Sequence, residues 1–334
     1  MERTLFRRWP RLVLTLPRVD LGVIETPIEA WQHDDVTLTV KRDDRTTPSL
    51  GGNKARALEL LLAGVARGDT VLTVGSTGST HALAVAHFAA RLGATTRVIT
   101  WPQEEHEVSR ATSARLRTLA RVTEASSPVT AMVRAAAIRL TSESRYIPAG
   151  GSTPLGALGH AAAAMELSDQ LSSTGDTFDT IVVPLGTGGT AAGLLVGLAL
   201  ARVPARVLGV RVVPRIVANR SRVLRLARRT SRLFGQLAGV EPPFIDESNF
   251  AIDEEHYGGA YARETVAARD LASFVRERGG PVLDGTYSTK ALAAALALAR
   301  RAPAQRVLFW LTFDGRWLAA PDDAREITTS DERR

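Results

Sequence analysis

Ile181-Val182-Val183-Pro184-Leu185-Gly186-Thr187-Gly188-Gly189-Thr190-Ala191-Ala192-Gly193 reads as a buried strand, a Gly/Thr turn and the first turn of a helix. An apolar run leading straight into a helix is the unit from which parallel sheets are built, because parallel strands need a crossover between them. The turn is also an anion site in outline. Glycines let backbone approach a ligand, several N–H groups point at one place, and the helix dipole favours negative charge there. Thr187 and Thr190 add hydroxyl donors, and phosphate is the natural guest. Gly186, Gly188 and Ala191 fit the dinucleotide pattern G-x-G-x-x-A as well. That pattern expects an acid about twenty residues on, where this chain carries Arg206 and Arg211; an NADP enzyme could use Arg there. Glycines that serve only tight helix–strand packing are the third reading.

Outward from this unit the rhythm repeats. Val36 to Lys41, Thr70 to Gly75, Thr96 to Thr100, Val207 to Val213 and Arg306 to Thr312 read as strands. Ala55 to Ala66, His81 to Leu92, Ala111 to Arg121 and Thr190 to Ala201 read as helices. The alternation predicts an α/β fold of open, mostly parallel sheets flanked by helices. Two blocks separate, one from about Arg56 to His160 and one after Asp179, with the polar stretch Ser168 to Asp176 between them. The charged tail after Pro321 is expected to fray.

A chain of 334 residues is long enough for about two domains. Its hydrophobic fraction of 45% and charged fraction of 23% are those of a soluble globular protein. The net charge of +7 raises nucleic acid as a partner, but aromatics are only 5% and the arginines are scattered, so none is expected. The densest patch, Arg220 to Arg232, interleaves Val223, Leu226 and Leu233 at helical spacing and reads as the wet face of an amphipathic helix. Cysteine is absent, which excludes disulfides and thiolate chemistry and fits a cytoplasmic protein. The apolar run Leu12 to Leu16 stops at Pro17, too short for a signal or a membrane span. The six histidines form no H-E-x-x-H and no i, i+4 pair, so no metal site is expected.

Only three lysines occur, Lys41, Lys54 and Lys290, and Lys54 closes the turn Ser49-Leu50-Gly51-Gly52-Asn53-Lys54. Where arginine supplies nearly all other positive charge, a retained lysine points to chemistry that needs an amine able to lose its proton. The plain alternative is a lysine that solubilises a Gly-rich loop. Gly75-Ser76-Thr77-Gly78-Ser79-Thr80-His81 gathers hydroxyls at a helix start, which suits a carboxylate or phosphate, with N-capping by Ser79 or Thr80 alongside. A Ser79–His81 nucleophile pair is disfavoured, because G-x-S-x-G is missing and residues two apart on a helix face different ways. Leu283-Asp284-Gly285-Thr286-Tyr287-Ser288-Thr289-Lys290-Ala291 taken alone is a loop and a cap before an Ala-rich helix.

Together these segments resemble the fold-type-II pyridoxal-phosphate enzymes, and within them the D-cysteine desulfhydrase and 1-aminocyclopropane-1-carboxylate deaminase family. Thr26-Pro27-Ile28-Glu29 resembles T-P-L-E, Lys41-Arg42-Asp43-Asp44 resembles K-R-D/E-D, and Gly51-Gly52-Asn53-Lys54 the cofactor turn G-G-N-K. Gly78 to His81 falls at Q-S-N-H or Q-S-N-Q. Ile147 to Ser152 and Leu155 to Gly159 resemble I-P-x-G-G-S and L-G-A-L-G. Gly186 to Gly193 stands at the phosphate loop, and Leu283 to Lys290 resembles L-D-P-V-Y-T-G-K. The S-x-K-D/N-R context of cysteine-synthase-like relatives is absent.

The resemblance implies a tryptophan-synthase-β-like architecture, with residues 1–55 and 161–325 forming a larger cofactor domain, 56–160 a smaller α/β domain and 326–334 a tail. It implies that Lys54 holds pyridoxal 5'-phosphate covalently and later moves protons. Asn53 and Thr80 would support the cofactor, Gly186, Thr187, Gly188, Gly189 and Thr190 would cradle its phosphate, and Ser288 would face the pyridine nitrogen. A hydroxyl there would leave the ring less strongly protonated than an aspartate would. Ser79 would bind the substrate carboxylate or act as nucleophile or base, with Tyr287 and Tyr257 lining the pocket. The implied reaction is lysis or deamination of a small amino acid, D-cysteine-like or cyclopropane, with release of ammonia and a 2-keto acid, by a homodimer. β-Replacement, racemisation, dehydration and cofactor binding without turnover stay open. Thr80 and Thr153 replace asparagines, Ala57 stands where relatives often have a second lysine, and Thr312-Phe313-Asp314-Gly315 replaces T-G-G. These departures bear on the substrate more than on the cofactor, and Phe313 and Asp314 would add bulk and possible charge where the family has two glycines that admit backbone close to a ligand.

Overall fold

The computed structural model describes residues 4–34, 36–48, 52–105, 107–259 and 266–316. Ser49, Leu50, Gly51 and the tail after Pro321 lie outside the described residues. The strands are β1 (Ile28–His33), β2 (Val36–Arg42), β3 (Thr70–Ser76), β4 (Thr95–Trp101), β5 (Arg121–Glu124), β6 (Arg145–Ile147), β7 (Thr180–Leu185), β8 (Arg206–Arg211), β9 (Phe250–Asp253) and β10 (Val307–Leu311). The helices are α1 (Thr4–Arg8), α2 (Leu12–Thr15), α3 (Lys54–Leu61), α4 (Thr80–Arg91), α5 (Glu107–Leu119), α6 (Pro128–Thr141), α7 (Pro154–Thr174), α8 (Gly189–Ala201), α9 (Arg220–Ala238), α10 (Val266–Glu277) and α11 (Ser288–Arg301). None of the described helices is long and apolar enough to cross a membrane.

Two sheets result, one in the order β1-β2-β10-β7-β8-β9 and one in the order β5-β4-β3-β6. All pairings are parallel except β1 with β2. In the larger sheet the chain runs from β7 outward to β8 and β9, then returns to the other side of β7 with β10. In the smaller sheet it runs from β3 to β4 and β5, then returns beside β3 with β6. Each reversal leaves a crevice outside the carboxyl ends of two neighbouring strands, which is where open α/β sheets bind ligands. Pro184 sharpens the first crevice. It has no N–H to give, and the β7–β10 ladder stops at Phe309↔Val182, although β10 stays paired with β2 as far as Leu311↔Arg42.

Sequence periodicity placed the buried elements well and the exposed ones less well. The helix expected to reach Arg121 ends at Leu119, because Arg121 is drawn into β5 opposite Arg97. The helix expected to Ala66 ends at Leu61, and Gly64 beyond it turns at φ +79. Val212 and Val213 lie past the end of β8. The polar stretch expected as a separator forms the last turns of α7 up to Thr174, held by buried Leu167 and Leu171 and closed by left-handed Gly175.

A buried ion cluster ties β2, α3 and α7 together. The Lys41 ammonium donates to the Thr26 carbonyl at 2.6 Å, to Glu166 at 2.7 Å and to Gln170 at 2.6 Å. Arg56 pairs with Asp43 at 2.7 Å and Glu166 at 2.8 Å. Burial opposes ionisation of Glu166, yet Arg56 and Lys41 hold its carboxyl down to about 2. A folded-state pKa below the ordinary 4.5 makes this stabilisation complete above about pH 4.5 and loses it as pH falls toward 2. Glu166→Gln leaves two buried cations short of a counter-charge and is expected to destabilise the fold by roughly 3–5 kcal/mol at pH 7. The gap to the parent protein should close between pH 4.5 and 2 in urea titrations; a constant gap would refute the assignment.

Candidate active site

Contacts join the ends of the two sheets: Ser152, after β6, meets Thr187, after β7, and Asn53, just ahead of α3, bonds Thr190. Lys54 is the first residue of α3 and follows Asn53, whose backbone N–H donates to the Thr312 carbonyl past the end of β10 at 3.1 Å. Gly159 lets α7 press on α3, since a β-carbon there would overlap the Arg56 carbonyl. Burial lowers the Lys54 ammonium to about 8 against an opposing pull from Asp284. At neutral pH a useful share of this amine is therefore unprotonated, which nucleophilic attack on a carbonyl requires.

The turn after β7 is tied to both neighbours. The Asn53 amide donates to the Thr190 hydroxyl at 3.0 Å. From the smaller sheet, Ser152 lies 2.6 Å from the Thr187 hydroxyl and accepts from the Gly189 N–H at 3.1 Å. The remaining amides at the start of α8 lack intrahelical acceptors, as at any helix N-terminus. Gly186 faces the Tyr287 ring, which a β-carbon on it would meet at 3.2 Å. Gly188 does not face the crevice: at φ +91 its β-carbon would point at Val223, 3.0 Å away, so this glycine serves the turn and its seat on α9. Sequence reading offered both ligand room and tight packing for the loop glycines, and for Gly188 the direction of its β-carbon favours packing.

After β3, Ser79 caps α4, accepting from the Ala82 N–H at 3.2 Å, and its own proton is left to donate. Thr80 opens that helix, half-buried beside Ser79. His81, the next residue, is buried with neither ring nitrogen hydrogen-bonded. Burial and then the Lys54 charge push it down to about 3. His160 on α7 is likewise buried and held well below the usual imidazole value by burial, Lys54 and Arg56, with Nδ1 unpartnered. Both rings are neutral under working conditions.

The turn before α11 is organised by Asp284, whose carboxylate accepts the N–H groups of Thr286, Tyr287 and Ser288 at 3.1, 2.6 and 3.1 Å and the Ser288 hydroxyl at 2.8 Å. Tyr257 joins from the loop after β9, where its carbonyl accepts from Lys290 at 2.7 Å. The contacts thus link Asn53 to Thr190, Gly186 to Tyr287 and Lys54 to the charge of Asp284, while Ser288 is buried against Asp284 and Tyr257 is tied to Lys290. Ser152, Asp284, His81 and His160 were not singled out as site residues by the sequence reading; I-P-A-G-G-S contains the first and L-D-G-T-Y-S the second.

Phe313 and Asp314 correct one expectation. Both are buried, and Asp314 spends its charge on Arg316, which donates to it from Nε and Nη2 at 2.8 Å each. Arg316 also donates to the carbonyls of Thr47 and Pro48. The pair fastens the segment leading to Lys54 and adds no free charge to a substrate pocket. Thr153, in place of an asparagine, caps α7 by accepting from Gly156 at 3.0 Å. Among the described residues one trio, Asp253, Glu255 and His256, could gather around a cation, but His256 already bonds Asp253 at 3.0 Å and Arg301 pairs with Glu255.

Residues 19–312 match the family model described as pyridoxal-phosphate dependent enzyme. A putative 1-aminocyclopropane-1-carboxylate deaminase of Pyrococcus furiosus is 32% identical over 89% of this chain and 92% of its own length. A D-cysteine desulfhydrase of Serratia proteamaculans is 29% identical over 83% of this chain and 86% of its own. A solved structure described as an ACC deaminase homologue superposes with a TM-score of 0.77 at 28% identity, covering 94% of this chain and 95% of that one.

Proposed function

The chain belongs to the pyridoxal-phosphate dependent enzyme family and is an enzyme of its lyase and deaminase branch; from that premise we propose that, with one water, it cleaves a small amino acid of the D-cysteine or cyclopropane type, releasing ammonia and a 2-keto acid, with sulfide as the further product of a D-cysteine-like substrate. The observation that carries the reading is the Lys54 amine, lowered to about 8, at the mouth of two strand-end crevices. The residues fit the cofactor. The α8 N-terminus with Thr187, Thr190 and Ser152 offers donors for a phosphate ester, Lys54 offers the amine for the aldehyde, and the Asn53–Thr190 bond fixes the spacing between them. Bound there, the cofactor supplies an electron sink for the carbon that carries the substrate amino group.

The protein would supply the rest. Lys54 would take the proton from that carbon, Ser79 and the amides opening α4 would hold the substrate carboxylate, and Ser288 would stand beside the cofactor ring. Tyr287, against Gly186, and Tyr257 wall the pocket and limit it to small side chains. The same reading carries a cytoplasmic location and a homodimer.

Thr80 offers one hydroxyl where relatives have an amide with both donor and acceptor groups, so one hydrogen bond near the substrate carboxylate is lost or moved. A site that is missing such a partner discriminates by several powers of ten. D-cysteine and 1-aminocyclopropane-1-carboxylate are therefore expected to be turned over well below the roughly 10 per second of an ordinary enzyme. Steady-state release of ammonia and 2-keto acid from each compound is the measurement. Turnover at ordinary rates shows Thr80 to be neutral, and substrate-proton exchange with solvent without ammonia release turns the assignment to racemisation.

A further inference from the structure

We infer that this chain carries a second ligand site, for an α-amino acid with an apolar side chain, at the end of the larger sheet opposite Lys54, and that its occupancy reaches Lys54 through a buried chain of hydrogen bonds. The second half of the inference rests on the proposed place of the cofactor at Lys54; the first half does not. A cavity of about 730 Å³ opens at the amino ends of β2, β7 and β10. Small-molecule sites take roughly 300–1,000 Å³. About 20 Å of strand lies between this cavity and the carboxyl-end crevices.

The lining selects the ligand. Ile28, Val36, Leu171, Phe178 and Val307 give it apolar walls. Two groups of opposite charge, Arg306 and Asp176, lie on the same lining. Arg306 meets Asp179 only at 3.6 Å, beyond hydrogen-bond length, so its guanidinium has donors for a carboxylate. Asp176 is exposed and its carboxylate pairs with no cation among the described residues. Arg300, also on the lining, is drawn instead to Asp34 at 3.3 Å. A carboxylate, an ammonium and an apolar side chain on one small molecule therefore match guanidinium, aspartate and wall together.

Gln170 carries the link. Thr37, Thr39 and Lys41 share one face of β2; the two threonines line the cavity, as does Gln170, and Lys41 donates to Gln170 at 2.6 Å. Lys41 is 0% exposed, so water does not replace a partner that it loses. Lys41 also bonds Glu166, Glu166 bonds Arg56, and Arg56 follows Lys54 by two residues on α3. A ligand packed on Leu171 and Gln170 holds the last turns of α7 where they satisfy Lys41, and through Glu166 and Arg56 it steadies α3. The effect is reciprocal, since coupling between two ligands changes both affinities by one factor.

The test is calorimetric titration with L-leucine of cofactor-free protein and of holoenzyme reduced with borohydride, in which the cofactor is fixed and closed to exchange with an added amine. Leucine should bind both saturably, and about fivefold or more tightly to the reduced holoenzyme. Leucinamide, which lacks the carboxylate, and 4-methylpentanoate, which lacks the ammonium, should each bind at least about tenfold more weakly. Arg306→Glu reverses one recognising charge and Ser173→Trp puts bulk into the cavity, both at exposed positions, and each should abolish binding. Gln170→Met should bring the affinities of the two forms together. No saturable heat, or binding unchanged in Arg306→Glu or Ser173→Trp, overturns the second site. Weaker binding to the reduced holoenzyme than to cofactor-free protein puts leucine in the reaction site and overturns it too. Equal affinity of the parent's two forms overturns the link to Lys54 alone. A cofactor that borohydride does not fix is a failure of the functional reading, and the cofactor-free titration still decides the site.

Discussion

Lys54→Ala is expected to abolish both the visible absorption band of the cofactor-loaded protein and the label trapped on it by borohydride. The other two lysines are engaged elsewhere. Lys41 gives its ammonium to Thr26, Glu166 and Gln170, and Lys290 donates to the Tyr257 carbonyl. Lys54 alone begins a helix at the joint crevice with its pKa lowered by burial to about 8. The neutral form attacks an aldehyde, so in cofactor-free protein the rate of loading should climb with pH and level off above about 8. At pH 7 about a tenth of the amine is available. Lys54→Arg should fail as completely as the alanine variant, because a guanidinium keeps its proton and makes no imine. A label that persists in Lys54→Ala and is lost from Lys290→Ala assigns the chemistry to the other end of the pocket.

The sequence carried most of the fold because its strands and helices are buried on long apolar runs. β7 and α8 are read directly from Ile181 to Ala201, since a helix apolar on every side belongs in a core. β1, β5, β6 and β9 went unread. They are short and largely half-buried or exposed, and their strand character comes from a neighbour's ladder rather than from their own pattern. The site divides in the same way. Residue type set Lys54 apart from the arginines, and local position exposed the capping of α4 by Ser79. Asp284 passed as a turn residue because its bonds to the turn amides and to Ser288 depend on a cap geometry that no spacing rule displays. Asp314 was read as charge near a substrate because Arg316, two residues on, gave no sign of folding back on it. His160 was tested against metal spacing alone and His81 also as a partner for Ser79, whereas what marks both is burial beside a lysine distant in sequence.

Gly150→Ala is expected to weaken cofactor affinity by on the order of 30-fold, about 2 kcal/mol, with the protein still folded. Gly150 sits at φ +70 in the turn after β6, and a β-carbon on it would overlap the Thr187 hydroxyl. Two costs follow. A non-glycine residue in the left-handed region loses about 1–2 kcal/mol, and Thr187, once displaced, gives up its contact with Ser152 and the hydrogen bond to the phosphate proposed for it, worth about 1.5–3 kcal/mol to a charged group. Only the second cost belongs to the site. Gly175→Ala separates them: it adds the same left-handed strain at φ +75 on the end of α7, with nothing within 4 Å of the new carbon. It should lower stability slightly and leave affinity unchanged. Gly188→Ala falls between the two, since its new carbon meets Val223 and disturbs the seat of α8 more than the donors at its tip. Absorbance titration with pyridoxal 5'-phosphate at fixed pH, beside thermal melts of the same samples, separates affinity from stability. Equal affinity in Gly150→Ala and Gly175→Ala would mean that the smaller sheet does not help to hold the phosphate, and that Ser152 and Thr187 meet only to close the cleft.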